Sequence, residues 1–171
     1  MKQIKDWSGA LGAGLAAIRR QYKLPDGFPA EVDSAARAAA SRGPTDHVDR
    51  TAMPFVTLDP ASSTDLDQAF AIERSGGDLL LHYAIADTGW FVRTGDPVDR
   101  EAWTRGVTIY LPGDKVRLYP AILSEGAASL LPDGERPAIL FTVKVDPAGE
   151  VGLASVERAV IRSRAKLAYA T

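Results

Sequence analysis

The sequence predicts an α+β fold: a mixed, largely antiparallel sheet with flanking helices, preceded by a short helical extension. Three observations carry this expectation. Before residue 52, apolar residues recur at helical spacing; after it, short runs rich in Val, Ile and Leu alternate with Gly- and Pro-containing turns. Between those runs, Asp96-Pro97 supplies an N-cap and a first-turn Pro for one internal helix. The expected organisation is a helical extension and linker over residues 1–51 and a mainly strand-built domain over 52–171.

Taken in order, Trp7, Leu11, Leu15, Ile18 and Tyr22 form one apolar helix face, so residues 7 to 22 are expected to be helical and to pack on something. Lys23 to Pro29 interrupts with turn residues. An Ala-rich helix follows from Ala30 to Ser41, stopped by Gly43-Pro44. Thr45 to Thr51 reads as a polar linker, with His47 facing solvent. Gln68–Glu73 and Leu79–Ala86 read as strands of a hairpin whose Gly76-Gly77 pair permits positive φ. The helix opened by Asp96 should run to about Arg105. Val107–Leu111 and Val116–Tyr119 read as short strands, and Ile139–Val145 with Val151–Ile161 as a second hairpin around Asp146-Pro147-Ala148-Gly149.

Composition bounds the function. The 171 residues suffice for one domain with a real core. Charged residues at 25% and hydrophobic ones at 46% argue against a disordered or fibrous chain. The chain has no Cys, which removes disulfides, zinc-thiolate sites and cysteine nucleophiles together. No apolar run reaches membrane-span length and the N-terminus lacks a signal-peptide core, so the expected location is cytoplasmic, without a membrane partner. The net charge of −2 gives no electrostatic sign of nucleic acid. A single strand threaded into a local channel does not require a basic protein.

The chemistry concentrates in Asp59-Pro60-Ala61-Ser62-Ser63-Thr64-Asp65-Leu66-Asp67-Gln68, which holds three carboxylates and no Lys or Arg. In extended backbone, residues two apart share a side, so Asp65 and Asp67 can face one centre. Carboxylates are the ligands that hard cations such as Mg²⁺ prefer, and clustered negative charges repel unless something compensates them. On spacing alone a metal site and a polar turn rich in Asp and Ser both stay open. An EF-hand is disfavoured, because Thr64 stands where its loop needs Gly and Phe70 where it needs Glu.

Five segments in order resemble the ribonuclease II/R (RNB) family. Thr57-Leu58-Asp59 with Asp65-Leu66-Asp67-Gln68-Ala69 resembles its Asp-rich signature. Leu81-His82-Tyr83-Ala84-Ile85-Ala86-Asp87 resembles its V-H-I-A-D strand. Asp99-Arg100-Glu101-Ala102 with Arg105-Gly106 through Tyr110-Leu111-Pro112 resembles a third block, Leu123-Ser124 through Ser129-Leu130-Leu131-Pro132 a fourth, and Ile161 to Tyr169 a fifth. Any one is weak; five in order over residues 55 to 170 are specific.

The resemblance implies part of an RNB catalytic domain and an exoribonuclease. Its reaction would be Mg²⁺-dependent (or Mn²⁺-dependent) hydrolysis of single-stranded RNA from the 3′ end, releasing 5′-mononucleotides, with no DNA substrate. It places Asp59, Asp65 and Asp67 as catalytic metal ligands and Gln68 as a fourth ligand where the family usually has Asp. Gln offers a carbonyl oxygen without charge, which should weaken metal binding rather than abolish the site. It places Tyr110 where the family's aromatic holds the RNA 3′ end; stacking contributes about 1–3 kcal/mol per base. The alternative for Tyr110 is packing on a strand surface. The family's later helices, a second-half Arg and a C-terminal barrel have no counterpart in these residues, so a fragment of a larger enzyme is expected, inactive by itself if those parts are essential.

Two other classes stay open: a non-catalytic RNA-binding or assembly module with a degenerate site, motivated by Gln68, and a structural domain whose loop binds a stabilising cation. With only two His and no nucleophile-elbow motif, a Ser-His-Asp hydrolase is disfavoured. Asp87 reads as a cap rather than a ligand, and His82 as a satisfied core or surface histidine. Arg105, Arg117, Arg136, Arg162 and Arg164 are candidates for phosphate contact or for ordinary surface solvation. The Gly9-x-x-Gly12-x-Gly14 cluster lacks the order and the preceding strand of a dinucleotide loop.

Overall fold

The computed structural model of the chain describes residues 9–132 and 134–169. Its elements are α1 (Ala10–Gln21), α2 (Ala30–Ala40), β1 (Val48–Asp49), β2 (Phe55–Leu58), β3 (Gln68–Ser75), β4 (Asp78–Ala86), α3 (Thr88–Phe91) and α4 (Pro97–Arg105). Then follow β5 (Ile109–Leu111), β6 (Asp114–Val116), a π-helical turn at Leu123–Ala127, β7 (Glu135–Val145) and β8 (Val151–Leu167). The α+β expectation holds.

The long strand β8 organises the sheet. Its first part pairs antiparallel with β7, from Val145↔Val151 to Glu135↔Arg162, and its last residues pair parallel with β2, from Phe55↔Ser163 to Leu58↔Leu167. Strands β2, β3, β4 and β7 are linked antiparallel in that order, so β8 closes them into a ring. Among the described residues, only the β1 and β2 pairings to β8 are parallel. The β3–β4 turn takes just Gly76-Gly77, with Gly76 at φ 63°, the sign a two-residue hairpin needs. Pairing therefore runs through Arg74 and Ser75, which the sequence reading left in the loop.

Inside the ring, Ala69, Ala71, Ala84, Ala138 and Ala159 let the strands curl closely, and Phe55, Leu66, Leu130, Leu140 and Ile161 fill the middle. Burying each of these large side chains stabilises by about 1.5–3 kcal/mol. A second cluster joins Val32, Ala36 and Ala39 of α2 to Phe91, Val98 and Leu123. The outer face of the ring is different. Ile72, Val151 and Leu153 remain 59%, 69% and 63% exposed, beside Leu79 and Val156, with nothing among the described residues covering them.

Helix α1 forms within the predicted stretch; Trp7 lies outside the described residues. Leu11 and Leu15 are half-buried and Ile18 is exposed, so the apolar stripe packs shallowly. An ionic contact adds to it: Arg19 bonds Asp26 and, on the β5–β6 hairpin, Asp114. Helix α4 is capped as expected, with the Asp96 carboxylate accepting from the Asp99 N–H at 2.8 Å. No described helix is long and apolar enough to cross a membrane.

Two expectations are overturned. The strand expected over Val116–Tyr119 lies instead at Asp114–Val116, folded back on β5 through the Pro112-Gly113 turn. His47 does not face solvent: its side chain is fully buried, with Nε2 3.1 Å from Asp87 Oδ2 and its ring edge-on to Trp90. The cause is β1, too short for periodicity to reveal, which ties Val48 and Asp49 to β8 and draws His47 inward. Asp87 is a cap, accepting from the Trp90 N–H while also pairing with Arg158. His82 is buried, with Nδ1 3.2 Å from Thr142 Oγ1 and Nε2 3.3 Å from the Glu73 carboxylate.

Candidate active site

The Asp-rich loop leaves β2 at Asp59, whose N–H donates to the Leu167 carbonyl at 3.1 Å. Ser63 N–H closes a turn on the Pro60 carbonyl at 2.9 Å. Leu66 is the anchor: its side chain is fully buried in the ring core while its carboxylate neighbours Asp65 and Asp67 remain accessible. That is the alternation an extended chain imposes. The loop backbone is also stitched from outside. Ser129 Oγ donates to the Thr64 carbonyl at 2.8 Å and accepts from the Leu66 N–H at 2.9 Å. The Leu130 N–H donates to the Leu66 carbonyl at 2.7 Å, and the Ala86 N–H to the Asp67 carbonyl at 2.9 Å. Lys166 Nζ donates to the Ala61 and Ser63 carbonyls. Five flanking residues thus fix a loop that carries three acids.

The acids interact. Partial burial and then the Asp67 carboxylate hold Asp59 above the ordinary carboxylate range; Asp65 adds to this and Lys166 opposes it. Asp65 is met by Lys115, whose Nζ lies 3.1 Å from Oδ2. Lys115 in turn contacts Glu125 at 2.9 Å, and Glu125 takes Arg117 Nε at 2.6 Å. These two cations, Arg117 foremost, pull Glu125 down to about 2. Gln68 is exposed and its Oε1 accepts the Tyr83 hydroxyl proton. Tyr110, on β5, is 71% exposed. A cavity of about 470 Å³ lies between it and the loop, lined by Ser63, Thr64, Asp65, Tyr110, Lys115 and Glu125.

Among the described residues, no three His, Cys, Asp or Glu side chains form a ready-made metal cage. The donor set still fits a hydrated Mg²⁺. Carboxylate oxygens are the ligands such an ion would take, waters would have to complete its shell, and the repulsion around Asp59 is the kind a cation would relieve. The five arginines named as phosphate candidates all have internal partners. Arg105 is nearly buried against Glu101 and Phe28, Arg117 and Arg162 pair with Glu125 and Glu135, and Arg136 and Arg164 bond the Ser129 and Ala52 carbonyls. Sequence reasoning missed Lys115, Glu125, Ser129 and Lys166. Glu125 and Ser129 sit inside a matched motif block and Lys166 inside another, which was the only available signal.

Fold and loop define an α+β domain that presents a rigid acidic loop at the rim of a closed strand ring. The RNB domain model matches residues 47–171. The chain belongs to the RNB domain family, as the motif blocks anticipated. Ribonuclease R of Vibrio cholerae is 33% identical over 155 residues, covering 88% of this chain and 19% of that protein. Exoribonuclease 2 of Vibrio vulnificus is 36% identical over 148 residues, covering 85% of this chain and 22% of that protein. The chain therefore spans about a fifth of these curated relatives' length. Among solved structures, Mycoplasma genitalium RNase R in complex with double-stranded RNA superposes with a TM-score of 0.80 at 27% identity, over 91% of this chain and 28% of that one. Yeast Ssd1, described as a pseudonuclease, shares the fold with a TM-score of 0.64 at 18% identity, over 83% of this chain and 17% of that one.

Proposed function

We propose that this chain is the metal-loop part of the catalytic domain of a 3′-to-5′ exoribonuclease that hydrolyses single-stranded RNA to 5′-mononucleotides. The observation that carries the reading is the fixed acidic loop, with Asp59 under repulsion from Asp67 and Asp65, opening on a cavity that presents Tyr110. The relatives' names, Ribonuclease R and Exoribonuclease 2, supply the reaction class, and the RNA complexes of Mycoplasma genitalium RNase R supply the ligand class. Asp59, Asp65 and Asp67 would hold Mg²⁺ or Mn²⁺, mostly through water. Such an ion, when bound, supplies an activated water and charge stabilisation at the scissile phosphate. The chain's own contribution is positional. Ser129, Leu130 and Lys166 bond the backbone of the loop that carries the carboxylates, and Tyr110 offers a stacking face to a base of any sequence.

The second reading, a non-catalytic RNA-binding module, is favoured by one observation: Gln68 brings no charge and its carbonyl oxygen is already taken by Tyr83. The test is mononucleotide release from a 3′-tailed RNA across a Mg²⁺ titration, in the complete protein. Asp67→Asn should nearly eliminate turnover, and Gln68→Asp should lower the Mg²⁺ needed for half-maximal rate. An Asp67→Asn protein as fast as its parent sinks the metal mechanism; an inactive parent and inactive Gln68→Asp protein that still bind RNA favour the module.

A further inference from the structure

Lys115 lies where two candidate features meet. It sits on β6 directly opposite Tyr110 in the β5–β6 register, so the two side chains share one face of that hairpin. Its ammonium reaches out of the hairpin to Asp65 Oδ2 at 3.1 Å and to Glu125 Oε1 at 2.9 Å, and the side chain is only 19% exposed. A largely buried ammonium needs anionic partners on every side that water has left. Here it has two, and they are not equivalent. Asp65 belongs to the acid loop, whereas Glu125 comes from the π-helical turn and is itself held by Arg117 at 2.6 Å. If Asp65 were drawn elsewhere, Glu125 would still keep the ammonium paired.

We propose that Lys115 is the resident counter-ion of the acid loop: it neutralises Asp65 while no divalent cation is bound, and gives Asp65 up when one arrives, staying tethered to Glu125 beside Tyr110. The inference rests on the metal-site reading of the loop and adds a residue that this reading does not use. Its physical basis is competition. A carboxylate shared between a close ammonium and a dication offers each less of its charge than it would offer either alone. The dication carries twice the charge, and it repels the ammonium at the same range. Lys115 therefore sets how much cation the loop needs, and it couples cation loading to the hairpin that carries Tyr110. A purely structural Lys115 makes the opposite prediction, because removing a brace from Asp65 would loosen the site and weaken cation binding.

The experiment is a Mn²⁺ titration of this chain followed by electron paramagnetic resonance of the free ion, with circular dichroism to verify folding. It requires no turnover. Lys115→Met should bind Mn²⁺ more tightly than the parent by about three- to tenfold, the size expected from removing a partly screened competing charge. Lys115→Gln, which keeps a polar head in the same space, should shift in the same direction, and Lys115→Arg should stay at or below the parent's affinity. Neutral variants that match the parent, or bind Mn²⁺ more weakly, overturn the counter-ion role and leave the metal site standing. Folded chains that bind no Mn²⁺ at all overturn the role together with the metal reading beneath it.

Discussion

At the residue scale, charge placement around the loop has consequences of opposite sign. Glu125 sits at about 2 against an ordinary 4.5, because Arg117 and Lys115 bond its ionised form. A depressed acid stabilises the folded state above its unfolded pKa, and that stabilisation is lost as pH falls through the folded value. The window is therefore about pH 4.5 down to about pH 2, and Glu125→Gln should remove up to roughly 2–3 kcal/mol of stability at neutral pH. Urea unfolding measured at several pH values should show the parent losing stability across that window more steeply than Glu125→Gln; parallel curves would contradict the Arg117–Glu125–Lys115 assignment. Asp59 acts the other way. Its raised pKa favours the protonated form in the folded state, so its contribution is lost as pH rises and the carboxylate ionises. A bound cation would relieve that burden.

At the element scale, the loop from Asp59 to Asp67 is a stitched segment rather than a free one. Its fixed points are the Leu66 side chain and the Ser129 hydroxyl, which serves a loop carbonyl and a loop N–H at once. Ser129→Ala leaves the buried Leu66 N–H without that partner and releases the Thr64 carbonyl, and should cost about 1–3 kcal/mol. Denaturant unfolding checks this; a loss within error of zero would mean that the loop is held by Leu66 and its backbone bonds alone. The loop's residues and the helices α2 and α4 were legible because each depends on local signals: carboxylate spacing, Ala-rich periodicity with a Gly-Pro stop, and an Asp-Pro start. What holds the loop was not legible. Ser129 lies 63 residues from Leu66, Lys166 lies 103 from Ser63, and no period or turn residue marks such partners. The burial of His47 escaped for the same reason, since it follows from a two-residue strand recruited by β8.

At the scale of the whole molecule, the closed ring has two unlike faces. Its inner face is lined by Ala and filled by a few large apolar side chains, which gives a rigid base for the loop at its rim. Its outer face leaves Ile72, Val151 and Leu153 largely exposed. Apolar runs bounded by turn residues marked most of the strands, but not the closure, because the length of β8 and its change of partner from β7 to β2 produce it. Closure brings the end of β8 to Asp59, through the Leu167 carbonyl, and so joins the last matched motif block to the first. The proposed metal site would have this junction hold Asp59, Asp65 and Asp67 around one divalent ion. The most direct measurement is a crystal of the chain grown or soaked with Mn²⁺ and recorded at an anomalous wavelength. The proposed metal site predicts an anomalous peak among the three carboxylates, with Asp65 turned away from Lys115. Density showing the carboxylates well ordered, Asp65 still on Lys115 and no peak at the loop would contradict it.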